Sequence, residues 1–168
     1  MKKSLLLTAT ILTTLTLTSQ AQAKMKAEKA IAAAEQRIVE GIKAKDSAAI
    51  MANFIADDSL FVFDATIPRQ YVGASAYKKD WETFFAMAQG PNISCEMSDL
   101  SITTSGKLGF THCIIHAAWN DKDGKKVEVT IRVTDGFQKI DGKWLIVHEH
   151  VSVPVDFNTG MADLASKP

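Results

Sequence analysis

Two acidic side chains fall where an alternating strand should bury its apolar face. From Lys126 to Val153 the chain reads as two long strands joined at Ile140-Asp141-Gly142. A three-residue loop there sets Lys139 opposite Lys143 and gathers the odd-numbered residues of both strands on one face; a two-residue Asp141-Gly142 loop sets odd against even. The pattern favours the first. The odd positions are Val127, Val129, Ile131, Val133, Phe137, Leu145, Val147, Val151 and Val153, interrupted by Asp135 and Glu149. In that register Glu149 pairs with Val133 and is a diagonal neighbour of Asp135, a separation that long side chains bridge. Two carboxylates in an apolar cavity cannot both ionise cheaply, so one should hold its proton near neutral pH and serve as general acid while the other serves as base. Asp64, where an earlier strand stops, is a third candidate. The competing reading is structural: these acids pair with Arg69 or with rim lysines and close the core.

The histidines form a second constellation. The even positions of the hairpin carry Arg132, His148 and His150, and turning Ile115 and Trp119 of the preceding strand inward puts His112 and His116 on that same outer surface. His148 and His150, two apart on a strand, project the same way, as metal ligands could. The pattern sets no carboxylate beside them, so no metal is expected. A semi-polar sheet face of this kind suits the contact between two copies of the chain. Gly-x-Ser-x-Gly, phosphate-loop, Cys-x-x-Cys and dinucleotide motifs are absent, and no cofactor is expected. Cys95 and Cys113 lie on strands that meet near Ser105-Gly106, which places Cys95 opposite residue 116 or 117. The resulting offset of about 10 Å or more is too long for a disulfide, so both should be free, buried thiols. An apolar setting raises a thiol's pKa, which argues against Cys113 as a nucleophile.

The elements that must position these groups can be read in order. Lys24 to Lys45 has helical period, with Ile31, Ala34, Ile38 and Ile42 on one stripe, and Asp46 caps a second helix from Ser47 to Ile55. Ser59 to Asp64 is a strand apolar enough to be covered on both faces. Residues 65–72 form a loop around Pro68, and Gly73 precedes a third helix, 74–89, whose Tyr77, Trp81, Phe84, Phe85 and Ala88 make an aromatic stripe. That stripe reads either as core or as the lining of a ligand box. A meander of four strands follows, 92–103, 108–120, 126–139 and 143–153. Helices followed by a long curved antiparallel sheet make an α+β fold in which the helices cover one face.

A chain of 168 residues, 46% hydrophobic, suggests one domain with a sizeable core. Lys2 and Lys3, the apolar run Leu5 to Leu17 and the small residues Ala21-Gln22-Ala23 read as a secretory signal peptide over 1–23. That run is too short and too rich in threonine for a span of about 20 apolar residues, so no membrane attachment is expected after its removal. The mature chain would be periplasmic or secreted, with a domain over 24–154 and a short polar tail over 155–168. Without Lys2 and Lys3 it is slightly acidic and has no basic stripe, which argues against a nucleic-acid partner.

The order helix, helix, strand, helix, four strands, with Asp141-Gly142-Lys143-Trp144 and His148-Glu149-His150-Val151-Ser152-Val153-Pro154, resembles the nuclear transport factor 2-like superfamily. Its SnoaL-like, ketosteroid-isomerase-like bacterial branch is the most similar, and the association domain of calcium/calmodulin-dependent kinase has a similar Gly-Lys-Trp followed by His-x-His-x-Ser. The resemblance implies a cone-shaped curved antiparallel sheet with three N-terminal helices over its concave face, and dimers formed through the outer sheet surface. It also implies a cavity for a small-molecule ligand, with Tyr71, Trp81, Phe85, Ile115, Trp119, Val133 and Val151 as candidate lining, and a carboxylate base at or next to Asp64. The arginines that line the association-domain cavity would fall at Ile115, Asp135 and Val151, where this chain has none. The tyrosine donor of the steroid isomerases has no counterpart on the matching strand, since the only tyrosines are Tyr71 and Tyr77. The activity expected is therefore ligand binding, with acid-base catalysis as isomerase, dehydratase or hydrolase, or an assembly role, as alternatives.

Overall fold

The computed structural model describes residues 3–165, with side chains described from Gln20 onward. In chain order the elements are α1 (Lys3–Ala44), α2 (Ser47–Met51), β1 (Phe61–Phe63), β2 (Gln70–Val72), α3 (Ala74–Met87), β3 (Gln89–Ser105), β4 (Leu108–Asn120), β5 (Lys126–Ile140) and β6 (Lys143–Ser152). The strands form one curved sheet in the order β2-β1-β6-β5-β4-β3, antiparallel except where β1 runs parallel to β6. The helices cover its concave face, as an α+β arrangement requires.

On α1 the stripe Ile31, Ala34, Ile38 and Ile42 is buried in the core. The helix runs unbroken from Lys3 rather than beginning at Lys24. The signal-peptide reading falls largely outside the described residues, since Met1 and Lys2 are not described and side chains up to Ser19 are not either. Among the described residues no helix is long and apolar enough to cross a membrane. Asp46 caps α2 as expected, its carboxylate accepting from the Ala49 N–H at 2.9 Å. The helix stops at Met51 rather than Ile55, because the chain there turns to join the sheet. Ile55 N–H donates to the Ile146 carbonyl and Ile146 N–H to that of Asn53, both at 2.9 Å.

Three more expectations change. Residues 70–72, read as loop, form the edge strand β2, with Tyr71 opposite Val62 on β1; Pro68 dominated the local signal, whereas pairing with a neighbour decided the outcome. β1 is not covered on both faces: Val62 is in the core, but Phe61 and Phe63 pack on each other on the outer side, their rings 5.0 Å apart, with Phe63 exposed. The tail is tied back, since Thr130 N–H donates to the Leu164 carbonyl at 2.9 Å.

The register of the last hairpin is the largest correction. Ile140 pairs with Lys143, so the loop is the two-residue Asp141-Gly142, with φ of 49° and 83° at its two positions. Such positive values match the twist of the flanking strands, and glycine takes them without strain. Odd therefore faces even near the turn, and Trp144 and Ile146, not Leu145 and Val147, join Phe137 in the core. Between Phe137↔Ile146 and Gly136↔His148 a bulge leaves Val147 unpaired. Beyond it the parity is odd against odd again. Asp135 then stands directly opposite Glu149, and Val133 opposite Val151, so the diagonal arrangement expected for the two acids becomes a direct pair.

Candidate functional site

Three neighbouring strands each contribute one polar residue to a single row. Thr111 on β4 is the partner of Asp135 on β5, which is the partner of Glu149 on β6. All three face the helices and are buried, the two acids at 1% and 5% exposure. Two residues further along the strands lies an apolar row, Cys113, Val133 and Val151, and beyond it Ile115 pairs with Ile131. At a strand rise of about 3.4 Å per residue, successive rows are about 7 Å apart.

Two helices complete the floor. A Cβ at Gly109 would stand 3.0 Å from Ile31 Cδ1, so the glycine allows α1 to lie close on β4. One helical turn beyond Ile31, Glu35 comes down on the same row and accepts a hydrogen bond from Thr111 Oγ1 at 2.6 Å. From α3 the Tyr77 hydroxyl donates to Glu149 Oε1. The Tyr77 ring is held by those of Phe54, Tyr71 and Trp81 at 5.6–5.9 Å. Tyr71 in turn donates to Asp80 at 2.5 Å.

The period of α1 does not single out Glu35, one of several acids in a helix rich in Lys, Glu and Ala. It is four residues after Ile31 and three before Ile38, which places a carboxylate inside the buried stripe. Tyr77 was legible as part of the aromatic stripe but not as the partner of Glu149.

Burial without counter-ions sets the protonation of the cluster. Among the described residues the ion pairs are Lys24–Glu28, Lys43–Glu40, Lys78–Glu82 and Lys126–Glu128, all on the surface, so the pairing of the acids with Arg69 or rim lysines does not occur. Burial, reinforced by the Glu149 and Glu35 charges, raises the Asp135 pKa well above the carboxylate range. Burial pushes Glu149 up to about 7, with the Tyr77 hydrogen bond opposing and the Asp64 charge assisting. Burial also raises Glu35, against the Thr111 hydrogen bond. Asp135 is thus the proton-bearing member at neutral pH, flanked by carboxyls on both sides. Its Oδ1 is buried without a hydrogen-bond partner among the described residues.

This floor closes a cavity of about 370 Å³ whose walls are mostly apolar, among them Ile38, Trp81, Phe84, Ile115, Val133 and Val151. Asp64 is at its mouth as expected, with Thr66, Ile67 and Asp80. The Asp64 Oδ1 accepts from the N–H and hydroxyl of Thr66 at 2.9 and 3.2 Å, which holds its carboxyl at the rim. Of the expected lining, Trp81, Ile115, Val133 and Val151 face the cavity. Tyr71, Phe85 and Trp119 are not among its lining side chains: Tyr71 donates to Asp80, and the Phe85 and Trp119 rings pack against Phe84.

His112, His116, His150 and Arg132 are exposed on the opposite sheet face. His148 is half-buried there, its Nδ1 2.9 Å from the Phe61 carbonyl and its ring against Phe61 and Phe63. Among the described residues no group of His, Cys, Asp and Glu is arranged to hold a metal ion. Cys95 pairs with Ala117, and both cysteines are free and buried. Burial raises both thiols, Cys95 to about 11.

The model of the SnoaL-like domain matches residues 31–156. Among curated proteins none matches the sequence. Solved structures do. A nuclear transport factor 2-like protein of unknown function from Pseudomonas putida is 29% identical, with a TM-score of 0.76 over 86% of this chain and 98% of its own. A candidate scytalone dehydratase from Novosphingobium aromaticivorans is 15% identical, with a TM-score of 0.69 over 86% and 91%. The association domain of CaMKII from C. elegans is 16% identical, with a TM-score of 0.60 over 77% and 98%. The last two show a shared fold only.

The raised acids make a stability prediction with a definite sign. A carboxyl whose folded pKa exceeds its unfolded one binds more protons when folded, so its contribution is full below about 4.5 and is lost as pH rises through the folded value. Urea unfolding of the wild type should show stability falling between pH 5 and 8, and Glu149→Gln should make that dependence shallower. A wild-type stability that rises over this range would contradict the protonation assigned to the floor.

Proposed function

The chain belongs to the SnoaL-like domain family, and on that premise we propose that it is an exported protein that binds a small, largely apolar molecule in the cone. The single observation that carries this reading is the cavity itself: apolar walls ending on a floor of buried carboxyls. Pockets of about 300–1,000 Å³ with apolar walls and a few convergent polar groups are how proteins take small ligands. The apolar body would lie along Trp81, Ile115, Val133 and Val151, and one polar group would reach Asp135 and Glu149.

A second reading, acid-base catalysis, is favoured by one observation. Glu149, near 7, lies beside a proton-bearing Asp135 and under the Tyr77 hydroxyl, so the floor holds an acid and a base in contact. In this scheme Asp64 at the mouth would take a proton from a bound substrate and Asp135 or Glu149 would give one. The fold also occurs in a candidate dehydratase.

The outer face carrying His112, His116, Arg132, His148 and His150, with the Phe61 and Phe63 rings beside it, would meet a second copy in a homodimer.

Filling the cavity should abolish binding without unfolding the domain. Ile115→Trp is expected to weaken Nile red binding by at least about tenfold while the far-ultraviolet circular dichroism is unchanged; equal binding would place the dye, and the site, elsewhere. For catalysis, the protein is incubated with a metabolite extract of its host and consumption is followed by mass spectrometry. A compound consumed by the wild type but only bound by Glu149→Gln would establish the enzyme, and no consumption would leave binding alone. Mass analysis of protein from the host's periplasm or medium should find an N-terminus at Lys24, and sedimentation of that material should give twice the chain mass. An intact Met1 or a monomer would remove the corresponding part of the proposal.

A further inference from the structure

The cavity's charge is one-sided. Glu35 from α1, Asp64 after β1, Asp80 from α3, Asp135 from β5 and Glu149 from β6 all line it, and among the described residues no lysine, arginine or histidine does. Its other titratable lining groups are the Tyr77 hydroxyl, already donating to Glu149, and the buried Cys113 thiol. None of the acids has an ion-pair partner among the described residues. Asp135, 1% exposed, sits between the Glu149 and Glu35 carboxyls and hydrogen-bonds to both, and its Oδ1 meets no other donor among the described residues. Above this floor, Trp81 and Phe84 present aromatic surface to the same space.

We infer that the site selects a small organic cation, an ammonium group carried on an apolar or aromatic body, with the nitrogen against Asp135 and Glu149 and the body along Trp81 and Phe84. The inference rests on the binding reading above and adds the ligand's charge. An anion would meet five acids and no cation, and bringing a like charge into a site of low dielectric is strongly unfavourable. A neutral ligand supplies no counter-charge, so the buried Asp135 keeps its proton. An ammonium supplies that counter-charge, and its N–H groups donate to carboxylate oxygens in charge-assisted hydrogen bonds. The aromatic faces attract the same cation through their negative quadrupole. The exchange balances: the cation enters, one floor carboxyl ionises, and its proton leaves to solvent. Binding should therefore release protons at pH 7, and affinity should rise as pH approaches the Glu149 value of about 7 from below.

Isothermal titration of the full-length wild-type protein with 2-phenylethylamine, 2-phenylethanol and phenylacetate, in two buffers of different ionisation enthalpy at pH 7, tests the inference. The amine should bind at least about tenfold more tightly than the alcohol, phenylacetate should show no binding, and the heat for the amine alone should depend on buffer through proton release. Glu149→Gln should lose the preference for the amine while keeping the alcohol. The alcohol binding as tightly as the amine, or the amine binding without proton release, overturns the inference and leaves the cavity as a site for neutral molecules. Silence from all three probes while Nile red still binds overturns it as well. Only silence from the probes together with Nile red binding that Ile115→Trp does not alter removes the binding site itself.

Discussion

One unpaired residue in β6 decides what the cone contains. A regular two-residue hairpin at Asp141-Gly142 would carry its odd-to-even register the length of both strands, setting Asp135 against His148 and turning Glu149 to the outer face. The bulge at Val147 absorbs one residue and resets the parity, so that Trp144 and Ile146 fill the core near the turn while Glu149 and Val151 face the cavity beyond it. The same shift keeps His148 and His150 outside. The core at the narrow end and the carboxyls at the floor are both compatible with one strand only because of this irregularity.

The floor then follows from close approach. Gly109 lets α1 settle on β4, which brings Glu35 to Thr111, and α3 lays Tyr77 over Glu149. Each contact satisfies a buried polar atom, yet none supplies a positive charge, so the cluster resolves its repulsion by holding protons. A salt-bridged version of the same floor would be ionised at neutral pH and would have little left to offer a ligand.

Much of this was legible in the residues. The α+β order, the inward-facing Asp135 and Glu149, the outward histidines, the free cysteines and the apolar stripe of α1 follow from period and spacing, because each reflects a strong local contrast between buried and exposed positions. What escaped depends on contacts between distant parts of the chain. The bulge is invisible to a parity argument, which reached the right face for Glu149 through the wrong loop. Glu35 is a carboxylate in a helix of Lys, Glu and Ala, and only the sheet beneath it makes it special. β2 is three residues whose strand character comes from β1. Tyr71, Phe85 and Trp119 have the right chemistry for a wall, but their rings are turned away by packing that no periodicity encodes.

The stacking of the rows separates two kinds of inheritance. Hydroxyl and carboxyl groups occupy one level, Thr111, Asp135 and Glu149, while the levels above it, Cys113, Val133 and Val151, then Ile115 and Ile131, carry neither. Trading one aliphatic side chain for another in the upper tiers enlarges or narrows the vessel and leaves the carboxyl level untouched, and that level can change while the girth of the vessel is kept. Such independence gives a physical reason why one scaffold can host many unrelated functions.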